Sequence, residues 1–231
     1  MKRRRSSSGK TPKVKKFKPY KPDDGITRKV GFYGRYGRAA RMRGVQPELK
    51  FFDTSLAFSF DQTGNIPATG QLCLIPQGDT ESTRDGRKAW IKSIQIRGNI
   101  TYVPSTSPNG TDTVFLYVIL DSQCNGNPAT ITEVFTSADM WSNMLQLNNS
   151  GRFRILKKWE LPIASRAGVS AAFSGDVKQI SWYKRCNIPI DWNGTTGALT
   201  EIRSNNIFLA AGSLRDIVST MAGTCRLRFQ G

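Results

Sequence analysis

From Leu49 onward the sequence alternates apolar and polar residues with a period of two, a pattern that antiparallel sheets use and helices cannot. Phe52, Leu56, Phe58 and Phe60 fall on one side of a first strand. Trp90, Ile94, Ile96, Ile100 and Tyr102 fall on one side of a longer second strand, with Ser93, Gln95, Arg97, Asn99 and Thr101 opposite. The run "DTVFLYVIL" (Asp112–Leu120) is apolar on both faces, as a strand at the centre of a sheet would be. In "RFRILKKWEL", Phe153, Ile155, Trp159 and Leu161 alternate with Arg152, Arg154, Lys158 and Glu160. Ile180, Trp182, Cys186, Ile188 and Ile190 align in another strand. "NNIFLAA" and "TCRLRF" close the chain, the latter setting Cys225, Leu227 and Phe229 against Arg226 and Arg228.

Turn dipeptides separate these runs: Asp85-Gly86, Asn109-Gly110, Asn125-Gly126 and Asn193-Gly194. One stretch reads as a short helix. In "SADMWSNML", Ser137 is placed to cap, and Met140, Trp141, Met144 and Leu145 form a stripe that would pack on a sheet. About eight strands with loops of unequal length predict an all-β, eight-stranded antiparallel single jelly roll of two packed sheets. The gap from Asp61 to Lys88, with "LCLIP" inside it, is an excursion or an extra short strand.

Residues 1–47 follow no hydrophobic period and cannot bury enough apolar area to offset the entropy of ordering, so a disordered arm is expected there. Residues 48–231 form the expected shell domain. Charge divides the chain in the same way. Residues 1–50 hold 17 Lys and Arg against Asp23, Asp24 and Glu48, a net +14, while the chain as a whole carries +17. A basic arm on a nearly neutral body points to a polyanionic partner. The first candidate phosphate ligands are Lys2, Arg3, Arg4, Arg5 and Lys10, then Lys13, Lys15, Lys16 and Lys18. "KRRR" (Lys2–Arg5) and "KVKKFK" (Lys13–Lys18) also read as nuclear localisation signals, because such signals are themselves basic clusters.

The second half of the arm, "GFYGRYGRAARMRG", interleaves Arg35, Arg38, Arg41 and Arg43 with Phe32, Tyr33 and Tyr36. Arginine neutralises phosphates, and aromatic faces stack on unpaired bases of any sequence, so single-stranded nucleic acid is favoured. The rings could also anchor the arm to the body, a role compatible with stacking. The G-x-x-G-x-x-G spacing is wrong for a dinucleotide loop, and no strand precedes it. Strand alternation also places Arg152 with Arg154, and Arg226 with Arg228, on polar faces that could line the inner wall of an assembly or serve as solvated or intersubunit faces.

Enzyme chemistry finds little support. The chain has no histidine, which removes the commonest general base and most transition-metal sites. Cys73, Cys124, Cys186 and Cys225 form no C-x-x-C pair and read as small buried hydrophobes. The Ser181-to-Lys184 match to Ser-x-x-Lys lies in a strand, where residues three apart face opposite sides. No cofactor or metal is expected. The start lacks the apolar segment of a secretory signal, and Val114–Leu120 is too short to span a bilayer, so the chain reads as soluble, intracellular and without a membrane partner.

Four segments carry a family likeness: "GRYGRAARMRG…PELKFFD", "LIPQGDTESTRDGRKAWIKSIQIRGNI", "NSGRFRILKKWEL" and "NNIFLAAGS…CRLRF". Together they resemble the capsid proteins of circular, replicase-encoding single-stranded DNA viruses, and the likeness covers essentially the whole chain. It implies self-assembly into a small icosahedral (T=1) shell of 60 copies, arms inward on a circular ssDNA genome. It also implies a virion protein that visits the host nucleus and engages import receptors. Sixty arms would supply about 840 positive charges, the order of the phosphate count of a kilobase single strand. The alternatives are the coat protein of a small RNA virus, which would share the arm and the sheets, and a cellular nucleic-acid-binding protein with a basic tail.

Overall fold

A computed structural model describes residues 48–102, 111–138, 144–167, 173–215 and 218–231. The chain divides into two units after Gln46, and all the described residues belong to the second. The strands are β1 (Lys50–Phe60), β2 (Lys88–Tyr102), β3 (Thr111–Asp121), β4 (Phe153–Ala167), β5 (Phe173–Gly175), β6 (Val177–Trp192), β7 (Ile202–Ser204), β8 (Asn206–Ser213) and β9 (Ser219–Gln230). They form two antiparallel sheets, one ordered β1-β9-β2-β6-β7 and the other β5-β4-β3-β8.

The excursion after β1 completes the second sheet. Asn65 and Ala211 exchange backbone hydrogen bonds of 2.7 and 2.9 Å, and the Leu72 N–H donates to Ile207 at 2.9 Å, so residues 65–72 run antiparallel along β8. A 3-10 turn at Ala68–Gly70 interrupts this edge segment. With it, the principal strands number eight, and the chain passes from one sheet to the other at most connections. This is the jelly roll expected from the alternation; β5 and β7 are three-residue additions to it.

Burial of the inward faces drives the sandwich together, each enclosed Leu, Ile or Phe contributing about 1.5–3 kcal/mol. The main core gathers Leu56, Ile91, Ile94, Ile96, Val114, Leu116, Ile190, Leu227 and Phe229 between the sheets. Trp159 of β4 and Trp182 of β6 meet edge to face at 5.7 Å. As the sequence predicts, β3 is buried on both faces. Its outward residues Phe115, Tyr117 and Ile119 lie in a second cluster with Phe153, Phe208, Val134 and Phe135. A one-turn helix, α1 (Ile131–Val134), sits in that covering loop, with the Thr130 and Glu133 side chains forming a capping box. The centre of the predicted Met/Trp helix, 139–143, lies outside the described residues, as does Asn109-Gly110. Asn125-Gly126 makes the expected turn with φ of 48° and 78°.

Two expected faces are corrected by β-bulges. Against both of its neighbours, β2 shifts register between Ile91 and Ser93. Ala89 and Ile91 therefore point inward together with Ile94, and Trp90 points outward, 40% exposed. In β4, Leu156 is skipped as the register shifts opposite Val118 and Ile119. Phe153 thus joins the second cluster while Trp159 and Leu161 pack on the main core. One extra residue transfers every later side chain to the other face, which strict alternation cannot foresee.

All four cysteines are free thiols; Cys73, Cys124 and Cys225 are buried and Cys186 is half-buried. Burial raises each thiol above its ordinary value, Cys225 to about 12, so these are inert core residues at neutral pH.

Candidate nucleic-acid interface

The arm residues assigned from sequence lie outside the described residues: Lys2 to Lys18, the arginines from Arg35 to Arg43, and Phe32, Tyr33 and Tyr36. The body holds the other four, and the fold does not bring them together. Arg226 and Arg228 project from β9 in the five-stranded sheet. Arg154 lies in β4 of the four-stranded sheet, and Arg152 is the turn residue just before that strand. Arg152 is also committed to structure. Its guanidinium makes two 2.9 Å hydrogen bonds to the carboxylate of buried Asp121, with Glu133 at 3.7 Å. Asp121 holds the Arg152 guanidinium above its ordinary pKa, and the side chain ties the end of β3 to α1.

On the outer face of the five-stranded sheet, strand register builds a basic surface row by row. One row reads Phe51, Arg228, Ser93 and Arg185 across β1, β9, β2 and β6. The next reads Asp53, Arg226, Gln95 and Tyr183, and the third Ser55, Thr224, Arg97 and Ser181. Arg97, Arg185, Arg226 and Arg228 are all exposed, and Gln95, Arg97, Thr224 and Arg226 line a shallow hollow of about 230 Å³. Beyond the third row the face turns to small neutral residues: Ala57, Ala222, Asn99 and Gln179.

The four arginines are not equivalent. Arg226 donates to both Asp53 oxygens at 2.7 and 2.6 Å and lies 5.0 Å over the Phe51 ring. That pairing holds the Asp53 carboxyl below its usual range. Among the described residues, no carboxylate lies within 4.0 Å of Arg97, Arg185 or Arg228. Tyr183 is 50% exposed, and Ser93 and Arg185 hold its phenol below the ordinary value, with Arg228 adding to the effect. Sequence reasoning missed Arg185, Tyr183 and Trp90. The first two stand at odd positions of β6, opposite the aligned Ile180 and Trp182, which was a readable signal; Trp90 gave none.

The described chain enters at this same end. Lys50, 6% exposed, pairs with Asp85, and the Phe51 N–H donates to Glu81 at 3.0 Å. The loop that receives it is the "IPQGDTESTRDGR" segment. Its centre is Arg84, fully buried. Nε of Arg84 donates to the Ile75 carbonyl at 3.0 Å, and the two terminal nitrogens donate to the carbonyls of Gly86 and Gly194. The guanidinium lies 4.7 Å over the Trp192 ring. Burial lowers its pKa, and Glu201 opposes the shift. The most distinctive sequence motif therefore builds a buried scaffold beside the start of β1. Among the described residues, no cluster of three or more Cys, Asp or Glu side chains could hold a metal.

An eight-position jelly roll of this kind is an architecture that viral capsid proteins share with lectin domains and cupins. The chain belongs to the geminivirus coat protein/nuclear export factor BR1 family, which it matches over residues 2–231. The capsid protein of Tomato leaf curl virus (strain Australia) is 27% identical over 111 residues, covering 46% of this chain and 43% of that protein. The chain thus matches less than half the length of that relative. The crystal structure of the infectious bursal disease virus VP2 subviral particle aligns with a TM-score of 0.27 and 11% identity, covering 81% of this chain and 34% of that one.

Proposed function

We propose that this protein is the coat protein of a single-stranded DNA virus, which assembles into a closed shell and packages the genome on its basic arm. The observation that carries the reading is membership of the coat-protein family across residues 2–231. In this reading 60 copies form a small icosahedral particle. Lys2–Lys18 and Arg35–Arg43 neutralise the packaged strand, and Phe32, Tyr33 and Tyr36 stack on its bases. Arg226 and Arg228 lie on the wall that faces the genome, which puts the outer face of the five-stranded sheet inward. Arg152 and Arg154 have no part in that wall. The Lys2–Arg5 and Lys13–Lys18 clusters direct nuclear import before assembly.

The test is to purify the full chain with a circular single strand of about a kilobase and follow it by sedimentation and electron microscopy. Uniform closed particles that protect the strand from nuclease are expected. A protein that binds DNA yet stays monomeric at moderate salt refutes the shell reading and favours a nucleic-acid-binding protein that forms no shell; the family's description also names a nuclear export factor.

A further inference from the structure

We propose that Arg185, Arg228, Tyr183 and Trp90 form a discrete single-strand binding site on the outer face of the five-stranded sheet. The phosphodiester runs between the two arginines, and unpaired bases stack on the two rings. The proposal deepens the coat-protein reading, which supplies the identity of the strand; the geometry supplies the site. Arg228 and Arg185 flank Ser93 in one row, so their roots lie about 10 Å apart, two interstrand spacings. Tyr183 lies one row along, about 7 Å from Arg185 by two strand rises. Trp90 lies on the opposite side of that row, facing Pro189, and the bulge after Ile91 is what turns it outward. Both rings are at least 40% exposed, a costly arrangement for two large aromatics unless something covers them.

The chemistry selects the occupant. Arg185 and Arg228 have no carboxylate within ion-pair distance among the described residues, so an anionic chain gains both charges without breaking a pair. Arg226 stays outside the site because Asp53 holds it. The protein's own arm, itself strongly basic, is repelled by such a surface. An acidic peptide would use the arginines and leave the rings without a role. A duplex would use the arginines too, but its bases are stacked already. A single strand uses all four side chains.

The experiment uses the full chain with oligothymidylate and with a duplex of equal length. Oligonucleotides carrying 5-iododeoxyuridine are irradiated, and crosslinked peptides are mapped by mass spectrometry. Crosslinks at Tyr183 or Trp90 are expected. Arg185→Gln with Arg228→Gln should lower the slope of log affinity against log salt by about 1.4 for single strands. Tyr183→Leu with Trp90→Leu should weaken single strands about tenfold and leave duplex binding unchanged. Lys13→Gln, Lys15→Gln and Lys16→Gln, as an arm control, should weaken both. Unfolding midpoints are recorded for every variant; should Trp90→Leu fail to fold, Tyr183→Leu alone carries the stacking arm. Crosslinks confined to residues 1–47, with the face variants binding as wild type, overturn the site and leave the coat-protein reading intact. Loss of particle formation in the arginine variant without nucleic acid also overturns it, by making the face an intersubunit contact.

Discussion

Replacing Arg84 by Ala should be among the most damaging single changes in the jelly roll. Three carbonyls, of Ile75, Gly86 and Gly194, accept from its guanidinium, and the ring of Trp192 lies beneath it. Hydrogen bonds from a charged donor are worth about 1.5–3 kcal/mol each, and a desolvated cation–π contact adds about 2 kcal/mol. Against this stands the several-kcal/mol cost of burying the cation, of the order that two of the bonds supply. The net loss should be about 3–5 kcal/mol, because the carbonyls lose their donor and the alanine leaves a void. For a domain of this size that lowers Tm by about 10 °C. Urea unfolding followed by tryptophan fluorescence reads the change directly, since Trp192 reports on the same pocket. Arg84→Lys should fall between alanine and wild type, because an ammonium cannot reach three carbonyls with a planar fork. An alanine variant within about 0.5 kcal/mol of wild type would refute the scaffold role, since the loss of a single one of the three hydrogen bonds should cost more than that.

The register of β2 makes a second prediction: Ile91→Ala should cost about 2–5 kcal/mol and Trp90→Ala about 1 kcal/mol or less, the reverse of what unbroken alternation implies. Comparing the two urea midpoints decides it, and equal losses would mean that the bulge is misplaced. A third concerns Asp112, 3% exposed, whose one oxygen accepts from the Thr113, Leu214 and Arg215 N–H groups while the other has no partner. Burial raises its pKa above 3.8, so its contribution to stability is complete below that value and is lost as pH rises through the folded pKa. Asp112→Asn should therefore abolish a fall in stability that wild type shows on going from pH 4 toward neutral. Asp53, held low by Arg226, acts in the opposite sense and only below 3.8, so the two windows separate in an unfolding series from pH 2 to 7.

The fold was legible because it rests on a repeated pattern. β1, β3, β6 and β9 follow the alternation residue by residue, and the double-faced burial of β3 was visible in "VFLYVIL". The excursion after β1 was harder, since residues 65–72 pair only intermittently with β8 and carry a 3-10 turn. α1 was missed although Thr130 and Glu133 spell a capping box, because one helical turn has no period to detect. Arg152 looked like a free cation because its partner, Asp121, lies 31 residues away at the end of another strand. Nothing local distinguishes a paired arginine from an unpaired one.

The same limit explains why the basic face was only half visible. Its charges come from β2, β6 and β9, and only pairing in register makes neighbours of Arg228, Ser93 and Arg185. Trp90 depends on one additional residue in β2. Without that bulge, the inward set that runs from Ile94 to Tyr102 would continue back through Trp90, burying an indole in the core and leaving Ile91 on the surface. With it, the isoleucine fills the core and the indole stands beside the arginine row, at the end of the sheet where β1 begins at Lys50. A bulge beside a binding surface re-aims a side chain that the pleat would otherwise hide. The irregularity that misled the sequence reading is thus the feature that adds an indole to the exposed Tyr183 of that face, which is why Trp90 is the residue whose exposure most sharply separates a nucleic-acid platform from a merely charged wall.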